Sequence, residues 1–502
     1  MNILIINGSP KGDSSITLQT VNYLQKLFPD HTYDIIYAGQ QIKSIEKDFL
    51  PSRKKLAKAE LVIFCYPVYK YLVPSQMHRF IELMKESGLD FSSVYATQIS
   101  TSRNFYDTIA HRFIADNCAD MGFRYIRGLS QCMGDLLKEN GRKEAVDFFR
   151  YCLWNISSGY YEDAVNPEPD ASFTPVLATP AEESDSKESD IKNSDSTEPF
   201  HIALVADYDP EDTQSGLTAM ISRFVNRFHG DCEIVNLKTI PFAGGCLGCM
   251  RCASGGNCVY EDGFDAFLRG HINSADAVIY AFTIKDHSMG YRFKLFDDRR
   301  FCDGHRPVMA GKPVGYLVDG DLRTEENLRT LMEARAEVDK TYLAGIVTDL
   351  RDPDTRIDQL VRSLVYILCN GFTQPQNFYG VGGHKVFRDM VYEMWWLMEE
   401  DYRFYEEHGL LDFPEQGPDP KAGMARLAAK GPGGPPQRNG KPDLNQNPPM
   451  SGKPPENEGF SPGCGKPPGN EAIPPGSGKP AGNEGFPPNP LLMMHKKVID
   501  EA

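Results

Sequence analysis

The chain lacks any apolar run long enough to cross a bilayer, which excludes a membrane-spanning helix and leaves the membrane out as an expected partner. It lacks a basic stretch ahead of its first apolar run, which passes straight into Gly8-Ser9-Pro10. That start does not read as a secretory signal, so a cytoplasmic location is expected. Positive charge is also short: 53 Lys and Arg stand against 69 Asp and Glu, for a formal net charge of −16. Nucleic-acid binding needs a basic surface, so nucleic acid is not an expected partner either. Much of the acidic excess is local to one linker and says little about the folded parts.

Cysteine is scarce outside one stretch. Eight of the 12 are scattered, at positions 65, 118, 132, 152, 232, 302, 369 and 464, mostly in apolar or helical contexts where a free thiol packs as a small hydrophobe. The other four, Cys246, Cys249, Cys252 and Cys258, are bunched. In a reducing compartment such a bunch points to metal rather than to disulfides.

What is present is an ordinary globular composition. With 502 residues, 41% hydrophobic and 24% charged, the chain has room for two to four domains with real cores. Asn2–Ile6 reads as a buried strand. Asn7–Thr17 (NGSPKGDSSIT) is a hydroxyl-rich turn with one lysine, and Leu18, Val21, Leu24 and Leu27 then recur at helical spacing. A strand, such a turn and a helix in that order form a phosphate cradle. First-turn N–H groups lack partners and the helix dipole favours an anion there. An ordinary turn capped by Ser14 would show the same pattern.

Residues 1–163 alternate strand and helix, with further strands expected at Tyr33–Tyr37, Leu61–Cys65, Val94–Ile99 and Phe123–Ile126. That alternation predicts an α/β, doubly wound parallel sheet, with ligands at the carboxyl ends of its strands. Residues 164–198 are Ser- and acid-rich and read as a flexible linker. Residues 199–413 repeat the alternation, ending in an aromatic-rich helix near Lys385–Glu407, so two similar lobes in tandem are expected. Residues 414–502 form a Pro/Gly-rich tail, expected to be disordered. It carries three copies of one unit, from Ser451, Cys464 and Ser477. The tail reads as solvated, with a proline-binding partner as its alternative.

Two more stretches of the first lobe sit where ligands bind. Cys65–Met84 leaves the third strand through a loop with Tyr66, Tyr69 and Tyr71, a flat apolar wall beside the cradle. Ser100–Asn104 (STSRN) supplies hydroxyls and Arg103 after the fourth. An aromatic ligand with a phosphate tail would fit. Packing tyrosines and a solvated arginine are the plainer alternatives.

GSPKG with SSIT after the first strand, and YPVYKYLVPSQMHRFIE after the third, resemble the NADPH-dependent FMN reductase family of flavodoxin-like proteins. The resemblance covers essentially the whole first lobe. It implies that Ser9, Lys11, Ser15, Ile16 and Thr17 hold the FMN phosphate. Pro67, Val68, Tyr69, Lys70 and Leu72 would line the isoalloxazine ring, with Thr101, Ser102 and Arg103 on its far side. His78 departs from the pattern, standing where the family often carries Lys.

In the second lobe, Gly244–Asp262 (GGCLGCMRCASGGNCVYED) spaces its cysteines C-x2-C-x2-C-x5-C. Four thiolates so spaced suit an iron–sulfur cluster. Zinc prefers two close pairs separated by a longer loop, and unligated thiols are the third alternative. The stretch resembles the iron–sulfur flavoprotein branch of the same superfamily, which implies a 4Fe–4S cluster at Cys246, Cys249, Cys252 and Cys258. Lys294–Arg299 is similar to the basic helix of that family. The GVGG within Phe378–Asp389 is not a dinucleotide fingerprint, because no βαβ unit surrounds it. The first loop of this lobe, Asp207–Ser215, carries Asp207, Asp209, Glu211 and Asp212. Each close pairing with a phosphate would cost on the order of a few kcal/mol, so FMN is not expected there.

The resemblance implies an FMN-dependent NAD(P)H oxidoreductase that passes electrons through the cluster, or directly, to a small-molecule or protein acceptor, with no catalytic side chain required. A non-enzymatic electron carrier and a degenerate binding or scaffold protein are the rival readings. Assembly as a homo-oligomer is left open.

Overall fold

The computed structural model describes residues 1–103, 105–162, 175–180, 200–350, 352–371, 376–411 and 490–502. Asn104, most of the 164–198 linker and the repeats of the 414–489 stretch lie outside the described residues.

The first lobe runs β1 (Asn2–Asn7), α1 (Ile16–Leu27), β2 (Thr32–Ile36), α2 (Ala38–Lys47), α3 (Leu50–Leu56), β3 (Leu61–Pro67), α4 (Ser75–Glu86), β4 (Tyr95–Ser102) and α5 (Asp107–Asp120). It ends with β5 (Arg124–Tyr125), β6 (Leu129–Cys132) and α6 (Glu139–Ser158). Its strands pair in parallel in the order β2-β1-β3-β4-β5, with β6 pairing further along β4. The near-continuous apolar runs of β1 and β3 suit strands covered on both faces. The sequence pattern did not disclose α2 and α3. Gly39 opens α2 against the first loop, where a Cβ would lie 2.3 Å from the Ser9 carbonyl carbon.

The second lobe runs β7 (His201–Ala206), α7 (Gly216–Arg227), β8 (Asp231–Asn236), α8 (Arg251–Gly255), α9 (Phe264–Phe267), β9 (Ala277–Thr283) and α10 (Tyr291–Arg299). It continues through β10 (Pro313–Asp319), α11 (Glu326–Val338), β11 (Tyr342–Thr348), α12 (Pro353–Asn370), α13 (Phe378–Glu393) and α14 (Glu399–Glu407). Its sheet order, β8-β7-β9-β10-β11, repeats that of the first lobe. The last expected helix is broken at Met394–Met398, where Leu397 and Met398 N–H both donate to the Met394 carbonyl. The GVGG run lies inside α13, and Gly383 there faces Val338 and Phe105 where a Cβ would lie 2.6–2.7 Å away. Pro490–Glu501 forms a final helix, α15, rather than continuing the tail. Beyond Pro490 the chain drops Pro and Gly, and Leu491, His495, Val498 and Ile499 share one helical face.

The lobes meet through α4 and α10. The tips of the two β3–α4 and β9–α10 hairpins are alike. Tyr69 and Leu72 pair as Lys285 and Ser288 do, around two consecutive left-handed residues, Lys70 and Tyr71 in one lobe and Asp286 and His287 in the other. Each helix then caps its counterpart. Asp298 on α10 accepts the first N–H of α4, from Ser75 at 2.7 Å, and Glu82 on α4 accepts the first N–H of α10, from Tyr291 at 3.0 Å. Lys294 reaches the Tyr69 carbonyl at 2.8 Å while pairing with Asp298. Burial works against the Glu82 charge, but His78 and Lys285 hold its carboxyl down at about 2. Around these contacts one apolar core runs through both lobes, including Phe64, Met77 and Phe80 of the first and Phe282, Phe293 and Phe296 of the second.

Removing one member of a buried pair strands the other charge, which costs about 3–5 kcal/mol. Asp298→Ala is therefore expected to destabilise the chain by about 3 kcal/mol in denaturant titration, while an exposed carboxylate such as Glu407→Ala shifts it by less than about 0.5 kcal/mol.

Candidate functional site

The β1–α1 loop is built by its own polar groups. The Asn7 side chain donates to the Gly12 carbonyl at 3.0 Å and accepts from Ser9 N–H at 3.1 Å, and Lys11 N–H donates to Ser9 Oγ at 3.3 Å. Gly12 is left-handed, and a Cβ there would sit 2.6 Å from Gln40 Oε1. The cap of α1 is Ser15, whose Oγ accepts from Leu18 N–H at 3.3 Å, not Ser14. Ser9, Ser15 and Thr17 are buried, and Thr17 is hydrogen-bonded to Thr101 at 2.5 Å. The hydroxyls expected at a phosphate thus line one lip, with the first turn of α1 behind them.

A cavity of about 560 Å³ opens from this loop. Ser9, Lys11, Ser15, Ile16, Thr17, Pro67, Val68, Tyr69, Lys70, Thr101, Ser102 and Arg103 all line it. Leu72 does not. The hairpin turn sends its side chain back into the core, where it is 1% exposed, and only its backbone serves the loop by pairing with Tyr69. Arg103 is not a free surface charge: its guanidinium donates to Glu393 of α13 at 3.0 Å.

Cys246, Cys249, Cys252 and Cys258 line the same cavity. Their loop leaves β8 of the second lobe and packs on the first. Gln76 donates to the Cys246 carbonyl at 3.3 Å and Lys43 to that of Ala243. Gly248 is left-handed, and a Cβ on it would lie 2.0 Å from Tyr69 Oη, so both backbone and space require glycine. One buried guanidinium clamps the loop. Arg299 donates to both carboxylate oxygens of Asp262 at 2.8 Å and to the Gly244 carbonyl at 3.1 Å. It lies 3.9 Å from Cys258 Sγ and stacks over Tyr260 at 4.6 Å. Cys252 Sγ faces the Phe301 carbonyl at 2.8 Å.

Burial sets the electrostatics. It raises the Cys246 thiol and pushes that of Cys252 up to about 12. It lowers Lys11, with Cys249 and Cys246 acting in the opposite direction. Among the described residues, no group of three His, Cys, Asp or Glu side chains is placed to hold a metal ion. Four cysteine thiols lining one cavity match the donor type that an iron–sulfur cluster takes.

The remaining wall was not legible in the sequence. Phe387 and Met390 lie on one face of α13, and Met394, Trp396 and Leu397 follow at its corner with α14. Leu491 and Met494 come from α15. Only the spacing of 387, 390 and 394 could have flagged them, and it reads equally as core.

The matching position in the second lobe is filled by the chain itself. A Cβ on Gly216, at the start of α7, would lie 2.9 Å from Asp319 Oδ1 and 3.2 Å from Asp349 Oδ2. Burial raises Asp207, and burial together with Asp319 raises Asp349 to about 6. The anion site of this helix end holds carboxylates where the first lobe has hydroxyls and Lys11.

The profile of the flavodoxin-like fold family matches residues 1–104. An iron–sulfur flavoprotein of Archaeoglobus fulgidus is 27% identical over 175 residues, 33% of this chain and 79% of that protein. Among solved structures, an FMN-dependent NADH-azoreductase of Bacillus anthracis in complex with FMN aligns over 31% of this chain and 98% of its own, at 14% identity and a TM-score of 0.25. An NAD(P)H:quinone oxidoreductase of Methanothermobacter marburgensis aligns over 32% and 96%, at 11% identity and a TM-score of 0.24. No helix among the described residues is long and apolar enough to cross a membrane.

Asp349 gives a pH test of the filled cradle. Its folded pKa lies above the unfolded 3.8, so ionising it in the folded state opposes folding, and that penalty grows as pH rises from 4 through about 6. Asp349→Asn is expected to gain about 1–2 kcal/mol relative to the parent between pH 4 and pH 7.5, read from thermal melts. The sequence match and the sheet order agree on one assignment: the amino-terminal lobe of this chain is flavodoxin-like.

Proposed function

We propose that the chain is an FMN-dependent NAD(P)H oxidoreductase whose second lobe carries a 4Fe–4S cluster beside the flavin of the first. The observation that carries this reading is that the β1–α1 loop, the Pro67–Tyr71 hairpin and all four bunched cysteines line one cavity. The similarity to an iron–sulfur flavoprotein supports it from outside the structure.

FMN would supply two-electron chemistry with a nicotinamide and one-electron exchange with a cluster. The chain's own residues position it. Ser9, Ser15, Thr17 and the first turn of α1 offer donors for a phosphate, with Lys11 as the countercharge. Val68, Tyr69 and the left-handed pair Lys70–Tyr71 present backbone and an apolar face to a flat ring. Arg299 holds the thiol loop closed through Asp262 and the Gly244 carbonyl and lies 3.9 Å from Cys258 Sγ. Phe387, Met390 and Met394 keep the opening apolar and limit water. The acceptor, a small molecule or a protein, would be met there.

Protein purified without oxygen should bind one FMN per chain and contain about four iron and four acid-labile sulfide, and it should oxidise NAD(P)H in the presence of an acceptor. Lys11→Glu is expected to weaken FMN binding at least about 30-fold in a fluorescence titration, about 2 kcal/mol, since it turns an attractive charge into a repulsive one. Cys249→Ser/Cys252→Ser should lose the iron and keep the flavin. Iron-free wild-type protein would remove the cluster from the reading, and absence of FMN binding would remove the flavin.

A further inference from the structure

Helix α15 follows residues 412–489, which lie outside the described residues, yet it reaches the site. It packs on α1 and on the turn Asp135–Leu137, placing Leu491 and Met494 beside Met133 in the cavity wall. The Lys26 ammonium, in the last turn of α1, donates to the carbonyls of Ile499 at 2.5 Å and Asp500 at 2.7 Å. Those are last-turn carbonyls, that of Ile499 also accepting from Ala502 N–H at 3.3 Å, and a cation there is worth about 0.3–1 kcal/mol. His495, 1% exposed, is buried on the docked face against the Met133 backbone.

A helix of 12 residues is marginal in water by itself, so α15 exists as a helix because it is docked. Its edge toward the opening is exposed as well as apolar: Met494 is 55% exposed and Trp396, across the same cavity, 57%. From this we infer that α15 is an adjustable rim of the site, and that Leu491 and Met494 govern access to the thiol loop. The inference rests on the cavity alone and holds whichever ligand fills it.

The test uses full-length protein without coenzyme. The cavity thiols are labelled with a charged aromatic disulfide reagent, and the peptide carrying Cys246–Cys258 is followed by mass spectrometry. Leu491→Asp/Met494→Asp should label at least tenfold faster than wild type. Met493→Asp, on the solvent face of the same helix, should match wild type. Lys26→Ala, which touches only the outer carbonyls of α15, should give an increase of about threefold and decides the matter if the double variant is misfolded. Labelling within twofold of wild type in both the double variant and Lys26→Ala would overturn the inference. Because no FMN is present, that result is distinct from a failure to bind flavin.

Discussion

Two carboxylates on two helices hold this architecture together. Asp298 and Glu82 each take the first N–H of the opposite helix, so α4 and α10 fix one another's start. A helix end buried without a partner is costly, and here neither lobe satisfies its own. The arrangement locks the lobes at one angle, because a carboxylate reaches a backbone N–H over a narrow range. It also sets the site. Ser75 and Gln76, at the capped end of α4, are the residues against which Gly245 and the Cys246 carbonyl rest.

Symmetry at the centre permits asymmetry at the two cradles. In a dimer of identical chains both would carry the same residues. With the lobes in one chain, the first loop keeps hydroxyls and Lys11, while the second meets Asp319 and Asp349 at the start of α7. The thiol loop follows the second strand of only one lobe. The corresponding stretch of the other is α2, whose start packs on the cradle through Gly39. Each lobe supplies one part of the cavity wall and braces the part supplied by the other.

Much of this was legible in local sequence. The strand–turn–helix at residues 2–27, the hairpin from Pro67 and the cysteine spacing each declare themselves within about twenty residues, because turn chemistry and apolar period are short-range signals. That they converge was not legible. Convergence depends on Ser75 meeting Asp298 and Tyr291 meeting Glu82, contacts with no local pattern. Leu72 shows a second limit. The run of cavity-lining residues ends at Tyr71, and Leu72 turns into the core together with Val73. The wall from α13 and α15 shows a third, since an apolar helix face looks the same whether it meets a core or a ligand.

The cavity also has a charge problem that a ligand would solve. Lys11 is largely desolvated, and among the described residues no carboxylate pairs with it. Burial raises the Cys246 thiol that faces it. A desolvated cation with neutral neighbours opposes folding, whereas an anion at the cradle or thiolates at the loop would reverse the sign of that contribution. Either ligand therefore stabilises the fold as it binds. Because Lys11 faces both the cradle and the cysteines, the two loadings act on a single charge.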